Sequence, residues 1–322
     1  MTTLLGAIDL GGTNVRAIVA TAAGEIKGAD KRLSRAADGL DTTLATMEEC
    51  LGAACADASA SVRDLGGVGI ASPGWVDSRG GVVPEAPQLI GWKNIPLVRI
   101  MSKRLGVPVI LENDANAAAL GEHVFGAGRG ARHLLYVTVS TGIGGGLIID
   151  GKLYGGARGS AGEIGHTIVD PAGPRCPCGN NGCLEIMASG TAIARKAEEA
   201  AAQGRSTRLA RIKDREGRLS SKLVAEAAEA GDEASREIYA EAGHILGISL
   251  GNAVNLLSPE VIVIGGGVAK SAPLFLPQVE ATMKEVALGE PLKHVRLAIS
   301  ELADHSGALG MIARMTKAGE QR

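Results

Sequence analysis

The chain has 322 residues, enough for two domains, with 45% hydrophobic and 21% charged residues and a net charge of −2. That balance lacks the basic excess of a general nucleic-acid or membrane-surface binder, and 2% aromatics leave few rings for stacking single-stranded nucleic acid. MTTLLGAID reaches Asp9 too early for a signal peptide and no apolar run approaches a membrane span, so the chain reads as cytoplasmic, with no nucleic-acid or membrane partner.

LLGAID (4–9) is a short apolar run ending at a Gly-rich turn, and VRAIVAT (15–21) has strand character, so the two are expected to form a hairpin. Residues 41–60 read as a helix that packs Cys50 and Cys55 as free thiols. GGVGIAS (66–72) and VPVILE (107–112) are expected buried strands, and DANAAALGEH (114–123) a helix starting at Asp114. LLYVTVSTGIGGGLIIDG (134–151) then repeats the opening: a Leu-Leu-led strand, a Gly-rich turn and a second strand. A repeat at that distance suggests two related α/β halves. Helices are expected near 188–203, 221–230 and 232–256, strands at 260–267 and 296–300, and a last helix at 306–318. The basic run RSTRLARIKDREGRLSSK (205–222) has no basic excess elsewhere to join, so it reads as a solvated helix face or linker.

The 46 glycines cluster beside strand-like runs, as in loops whose backbone N–H groups cradle phosphate. The common nucleotide motifs fail, however. From Gly146 to Lys152 a P-loop nearly fits, but Leu153 follows and no helix does. A dinucleotide fingerprint beginning at Gly142 and Gly144 meets Leu147 where its third glycine belongs. What remains is Asp9 ending a strand, then Gly11-Gly12-Thr13 in a hairpin turn, with Ser140-Thr141-Gly142 in the equivalent place of the other half and a third glycine run at 265–267. This pairing resembles the sugar kinase, heat-shock and actin superfamily, in which two ribonuclease H-like α/β domains face each other across a cleft. The resemblance implies that Gly11, Gly12 and Thr13 form a first phosphate loop and Thr141 and Gly142 a second. It also implies that Gly265 and Gly266 lie against the adenosine of ATP and that Asp9 positions Mg²⁺, through water.

LENDANAAA (111–119) puts Asp114 at a helix start just after a strand. Asp is common there as a cap, and the helix dipole favours its ionised form. Beside a nucleotide site it can accept a proton from a substrate hydroxyl, and Asn113 offers a donor and an acceptor to neighbouring hydroxyls. A free Asp has a pKa near ~3.9 and a water-like hydroxyl one near ~15.7, so Asp114 can take the proton only late in the transfer.

Cys176-x-Cys178-x4-Cys183 lies in a Pro/Gly loop, with His166 upstream in GEIGH. In a reducing compartment such clustering points to metal rather than disulfides. Three thiolates and one imidazole make a closed tetrahedral Zn²⁺ site, so the zinc is expected to be structural. It would tie His166 to the 176–183 loop and fix Glu163 and Glu185 on either flank. GEIGH followed by CPCGNNGCLE, with ENDANAA and DLGGT upstream, resembles the ROK family (repressors, open reading frames and kinases) over essentially the whole chain. The resemblance implies that Asn113, Asp114, Glu163, His166 and Glu185 contact a sugar, with Asp114 as base. The loop ASPGWVDSRGGVVPEAPQLIGW (71–92), with the expected sugar-contact residue Gly74, would border the sugar C2 side, where Trp75 and Pro87 could fill space that an N-acetyl group needs. It further implies an N-terminal α/β domain of residues 1–115 plus 305–322, onto which the last helix packs, a larger C-terminal α/β domain of residues 116–304, and a homodimer or higher homo-oligomer. ROK repressors carry a helix-turn-helix segment before the DLGGT strand, and here that strand starts at about residue 4, which leaves none expected. The expected activity is ATP-dependent phosphorylation of a hexose 6-hydroxyl, glucose first. N-acetylhexosamine or mannose as substrate, polyphosphate as donor and a non-catalytic sugar-sensing role are the alternatives.

Overall fold

A computed structural model describes residues 3–320; the outermost residues of the expected N-terminal domain, 1, 2, 321 and 322, lie outside the described residues. The chain opens with the expected hairpin, β1 (Leu4–Leu10) and β2 (Asn14–Thr21), paired from Leu4↔Thr21 to Leu10↔Val15. β3 (Ile26–Leu33) extends it and went unforeseen, because this edge strand buries only Gly28 and so shows no apolar face to read. α1 (Leu40–Asp57), β4 (Val68–Ser72), β8 (Val109–Asn113) and α3 (Asp114–Phe125) lie where the sequence places them. The 71–92 stretch is not a plain loop: β5 (Trp75–Asp77), β6 (Val82–Glu85) and β7 (Lys93–Ile95) form a small antiparallel sheet, followed by α2 (Leu97–Leu105).

The repeat follows as β9 (Leu134–Val139) and β10 (Ile143–Ile149), the latter turning through Asp150 and Gly151, both at positive φ, into β11 (Lys152–Leu153). Two positive φ values are what a tight two-residue hairpin turn requires, and Asp-Gly supplies them. Next come α4 (Leu184–Ala188), α5 (Gly190–Ala202), α6 (Thr207–Glu216), α7 (Ser221–Glu229) and α8 (Glu233–Leu257). The basic run is α6 itself, which buries only Leu209 and holds Lys213 to Glu198. β12 (Val261–Gly265), α9 (Leu276–Val286), α10 (Gly289–Leu292), β13 (Arg296–Ile299) and α11 (Ser306–Glu320) complete the chain.

One five-stranded sheet has the order β3-β2-β1-β4-β8 and the other β11-β10-β9-β12-β13. In each, an antiparallel meander is followed by two parallel strands. This is the ribonuclease H-like arrangement, present twice, and the α/β fold is the expected one. Contacts divide the chain into two units. Unit 1 is Met1–Arg132, Gly146–Gly162 and Glu301–Arg322; unit 2 is His133–Gly145 and Glu163–Ser300. The sequence reading divides the chain at 115/116 and 304/305, whereas here α3 groups with unit 1 because it packs along α11.

In unit 1, Ile8, Leu10, Val15, Ala17 and Val19 face α1 and α2, and Ala7, Ile18, Ala20 and Ala71 face α3 and α11. Both faces of the sheet are thus covered, which is why β1 reads as a continuous apolar run. The α3–α11 contact is backbone to backbone. A Cβ on Gly310 would overlap the carbonyl oxygen of Ala117, and one on Gly121 that of Ser306. Gly310→Leu should therefore lower stability by at least ~2 kcal/mol. Urea denaturation measures this, and a change below half a kcal/mol would show that the helices separate freely.

Candidate functional site

In unit 1, Asp9 sits one residue before the end of β1, and the Gly11–Thr13 turn follows. Gly11 N–H donates to Asn14 O (2.8 Å) to close the turn. Ser34, buried just after β3, clamps it from outside: its N–H donates to Thr13 O (2.8 Å) and its hydroxyl to Gly12 O (2.7 Å). Asp9 lies 3.8 Å from Arg16, which also reaches Asp304 at 3.7 Å, and Gly307 of α11 packs on its carboxylate. Burial pushes the Asp9 carboxyl up to about 6, Arg16 works against that rise, and Asp304 adds to it. A hard oxygen donor short of positive charge fits a hydrated Mg²⁺ ion.

The β8–α3 turn carries the other unit 1 candidates. Asn113 is the N-cap of α3: its Oδ1 accepts from Ala115 N–H (3.0 Å) and Asn116 N–H (3.1 Å). Its Nδ2 donates to the carbonyl of Gly74 (3.2 Å), so Gly74 and Asn113 are brought together. Gly74 has φ +85°, and a Cβ there would strike Glu85 O, so the position needs glycine. With both Oδ1 lone pairs used, Asn113 has one amide hydrogen left, and its side chain could meet a ligand hydroxyl only as donor. Asp114, the first residue of α3, places Oδ1 2.9 Å from Ala115 N. Trp75 is largely exposed, whereas Trp92 is buried in the core.

In unit 2 the Ser140–Gly142 turn is held from α4 and α5. Gly190 N–H donates to Ser140 O (2.7 Å), and the Thr191 hydroxyl to Thr141 O (2.8 Å). Glu185 Oε2 accepts Ile143 N–H (2.9 Å) and leaves no room for a side chain at Gly142. Gly265 and Gly266 lie beside the same strand end: a Cβ on Gly265 would strike the Tyr136 hydroxyl, and Gly266, at φ +87°, abuts Val139 O. Thr141, Gly142, Glu185, Gly265 and Gly266 thus belong to one neighbourhood of unit 2.

His166, Cys176, Cys178 and Cys183 cluster in the same unit, their ligand atoms all within 4.8 Å of one another. Cys178 Sγ is 3.5 Å from Cys183 Sγ, and Cys176 Sγ is 4.0 Å from His166 Nδ1. A tetrahedral ion with Zn–S near ~2.3 Å holds its sulfurs about 3.8 Å apart, so the donor set and spacing both fit zinc. The loop is preorganised: Cys176 N–H donates to Asn180 O (2.8 Å), Leu184 N–H to Thr167 O (2.9 Å), and Gly182, at φ +63°, is pressed against Asp170 O. The backbone N–H of Asn180 holds the Cys178 thiol below its ordinary value, whereas burial pushes Cys176 and Cys183 up. Burial also raises Glu163; His166 works against this and Glu185 adds to it, so both lie near the Glu163 carboxylate.

Residues 5–318 match the ROK family. The chain belongs to the ROK family. It is 36% identical over 304 residues to a glucokinase of Halalkalibacterium halodurans, covering 94% of this chain and 92% of that one. It is 32% identical to a putative xylose repressor of a Caldicellulosiruptor species, over 96% of this chain and 77% of that one. Among solved structures it is similar to a ROK family glucokinase from Streptomyces griseus in complex with glucose and AMPPNP, with TM-score 0.86, 31% identity, and 98% and 100% of the two chains covered. No described helix is long and apolar enough to cross a membrane.

Sequence reasoning missed Ser34, Arg16, Asp304 and Thr191. Ser34, Thr191 and Asp304 act from far along the chain, and Ser34 and Thr191 bond to backbone carbonyls, which carry no residue signal; Arg16 is near in sequence but meets Asp9 only through the β1–β2 register. Asp9 generates a testable pH dependence. Its raised pKa means that the folded chain holds a proton that the unfolded chain releases near pH ~4. That stabilisation is full below about pH 4 and is lost as pH rises through 6, on the order of 3 kcal/mol in all. Metal-free wild type should lose it between pH 4 and 8, and Asp9→Asn should not. Urea titrations across pH with chelator present measure the difference, and parallel curves for the two proteins would overturn it.

Proposed function

We propose that the chain is an ATP-dependent hexokinase that phosphorylates the 6-hydroxyl of a hexose, glucose above others. The observation that carries this is the anchored β8–α3 turn, which presents Asp114 at a helix N-terminus with Asn113 locked beside it. Whole-length similarity to glucokinases supports the same reading. Asp114 orients the hydroxyl and takes its proton late, as the metaphosphate-like group is captured, a contribution of about 10²–10⁴-fold. The helix dipole favours its ionised form. From unit 2, Glu163, His166 and Glu185 read sugar hydroxyls; with Nδ1 turned to the cysteines, His166 has Nε2–H left as a donor. Gly11–Thr13 and Thr141–Gly142 supply backbone N–H groups to phosphates, and Gly265 and Gly266 give the nucleoside close access. Mg²⁺ near Asp9 would neutralise phosphate charge. Zinc on His166, Cys176, Cys178 and Cys183 would be structural, because four protein ligands leave no open position.

Asp114→Asn keeps size and most hydrogen bonding but cannot accept the proton. Turnover should fall at least ~100-fold while glucose affinity stays within about tenfold. A coupled ADP-release assay with a panel of glucose, mannose and N-acetylhexosamines, and ATP or polyphosphate as donor, tests activity and substrate together. Near-normal turnover of the variant would remove Asp114 from the base role. A regulatory role is the second reading, favoured by the repressor relative; a chain that binds glucose yet releases no ADP would establish it.

Purified protein should hold about one Zn²⁺ per chain without added metal, and Cys178→Ser should lose it, a hydroxyl being a poor substitute for thiolate. Glucose affinity and melting temperature should fall together. Nucleotide affinity should fall less, because only the Thr141–Gly142 turn leans on the cluster, through Glu185, while the Gly11–Thr13 turn is held by Ser34. Metal analysis with separate calorimetric titrations decides this, and zinc-free wild type with full glucose affinity would sink the role given to the cluster.

A further inference from the structure

Glu112, the residue before Asn113, is 4% exposed, and four groups from four parts of unit 1 converge on its carboxylate. Oε1 accepts from the Ser78 hydroxyl (3.0 Å), the Asn113 backbone N–H (2.9 Å) and Asn116 Nδ2 (3.3 Å). Oε2 lies 2.5 Å from Arg314 Nη1. Ser78 follows β5, Asn113 ends β8, Asn116 stands in the first turn of α3, and Arg314 comes from α11. A buried carboxylate paired with a partly exposed guanidinium adds little to stability over well-packed apolar side chains. What it adds here is direction, since two of its bonds land on the residues that bracket Asp114. Asn113, fixed by Glu112 through its N–H, in turn caps α3 and ties down Gly74. Asn116, fixed by Glu112 through its amide, holds the other side of the same helical turn.

We propose that Glu112, locked by Arg314, is a positioning residue for phosphoryl transfer: it holds the Asn113–Asp114 turn in the geometry that proton acceptance by Asp114 needs, and touches no substrate itself. The proposal rests on the kinase reading above. Displacing a reacting group by about 1 Å costs on the order of 100-fold in rate, so loosening this turn should register in turnover before it registers in binding.

The test uses the full chain with Glu112→Gln, Arg314→Met and Arg314→Lys, at a temperature where melting curves show each variant folded. Glu112→Gln should lower kcat about 10- to 100-fold, with the calorimetric glucose Kd within about threefold of wild type. Arg314→Met should lower kcat about tenfold, and Arg314→Lys, which keeps the charge, should recover most of it. Hydrogen exchange of the 113–116 amides reads the clamp without turnover, and should quicken at least about tenfold in Glu112→Gln while the 308–313 amides of α11 do not change. A folded Glu112→Gln protein with kcat within twofold of wild type overturns the proposal, and so does a variant that loses only melting temperature. An equal loss of kcat and glucose affinity would make Glu112 a binding residue instead. If Glu112→Gln does not fold, equal kcat for Arg314→Met and Arg314→Lys is the overturning result. A wild-type chain that transfers phosphate to no hexose fails the kinase reading, a failure visible before any variant is compared.

Discussion

Helices α3 and α11 meet without side chains between them, at Gly121 and Gly310, and the polar arrangement of unit 1 depends on that contact. The sheet beneath is lined with small residues, Ala7, Ala20 and Ala71, and Gly69 lets Met311 lie directly on β4. Only so close an approach lets the last helix of the chain reach its first strand. It brings Gly307 onto Asp9, Arg314 onto Glu112, and Ser306 onto Glu122, a wholly buried carboxylate that accepts the Ser306 hydroxyl at 2.8 Å. Glu122 also accepts Ala127 N–H (2.9 Å) and Leu302 N–H (3.2 Å), so the end of α3 and the approach to α11 share one acceptor. Small residues at a helix crossing thus decide where charges elsewhere are compensated.

Unit 2 solves the corresponding problem with different parts. Its Gly-rich turn corresponds to that of unit 1 in strand order, yet it is held by α4 and α5 rather than by a serine after an edge strand. Cys183 is the N-cap residue of α4, and Glu185 stands in that helix's first turn. Whatever fixes Cys183 therefore fixes the carboxylate that accepts Ile143 N–H. The cysteine–histidine cluster and the turn are separated by one short helix, and a five-residue helix has little stability of its own. Its position must come from its ends: the cysteine loop at one, and Gly190 and Thr191 at the other.

The central strands were legible because they are buried along their whole length, and continuous apolar runs such as VGIAS and VIVIG announce such strands. Asp114 at the start of α3 was legible because strand, cap and helix are contiguous in sequence. The cysteine cluster was legible because its three thiols fall within eight residues. The sheet at 75–95 was not, because strands of three or four residues broken by Gly and Pro carry no period. Nor were the clamps: Ser34, Thr191 and Arg314 act over 22, 50 and 202 residues of chain, and nothing local distinguishes them from surface polar residues.

Two carboxylates of unit 1 show how the fold separates positioning from ligand binding. Glu112 is surrounded by donors and paired with a guanidinium at contact distance, so its charge is met within the protein. Asp9 is less enclosed, its arginine stands at 3.8 Å and is shared with Asp304, and its carboxyl is pushed up to about 6. A fold that can place Arg314 on one carboxylate had the means to neutralise the other. Leaving Asp9 short of positive charge weakens the ligand-free protein above pH 6, and that cost falls away when a cation arrives. The compensated carboxylate can therefore hold a turn still in the absence of any ligand. Asp9, whose arginine stands farther off and is shared with Asp304, keeps a charge that the protein meets only in part.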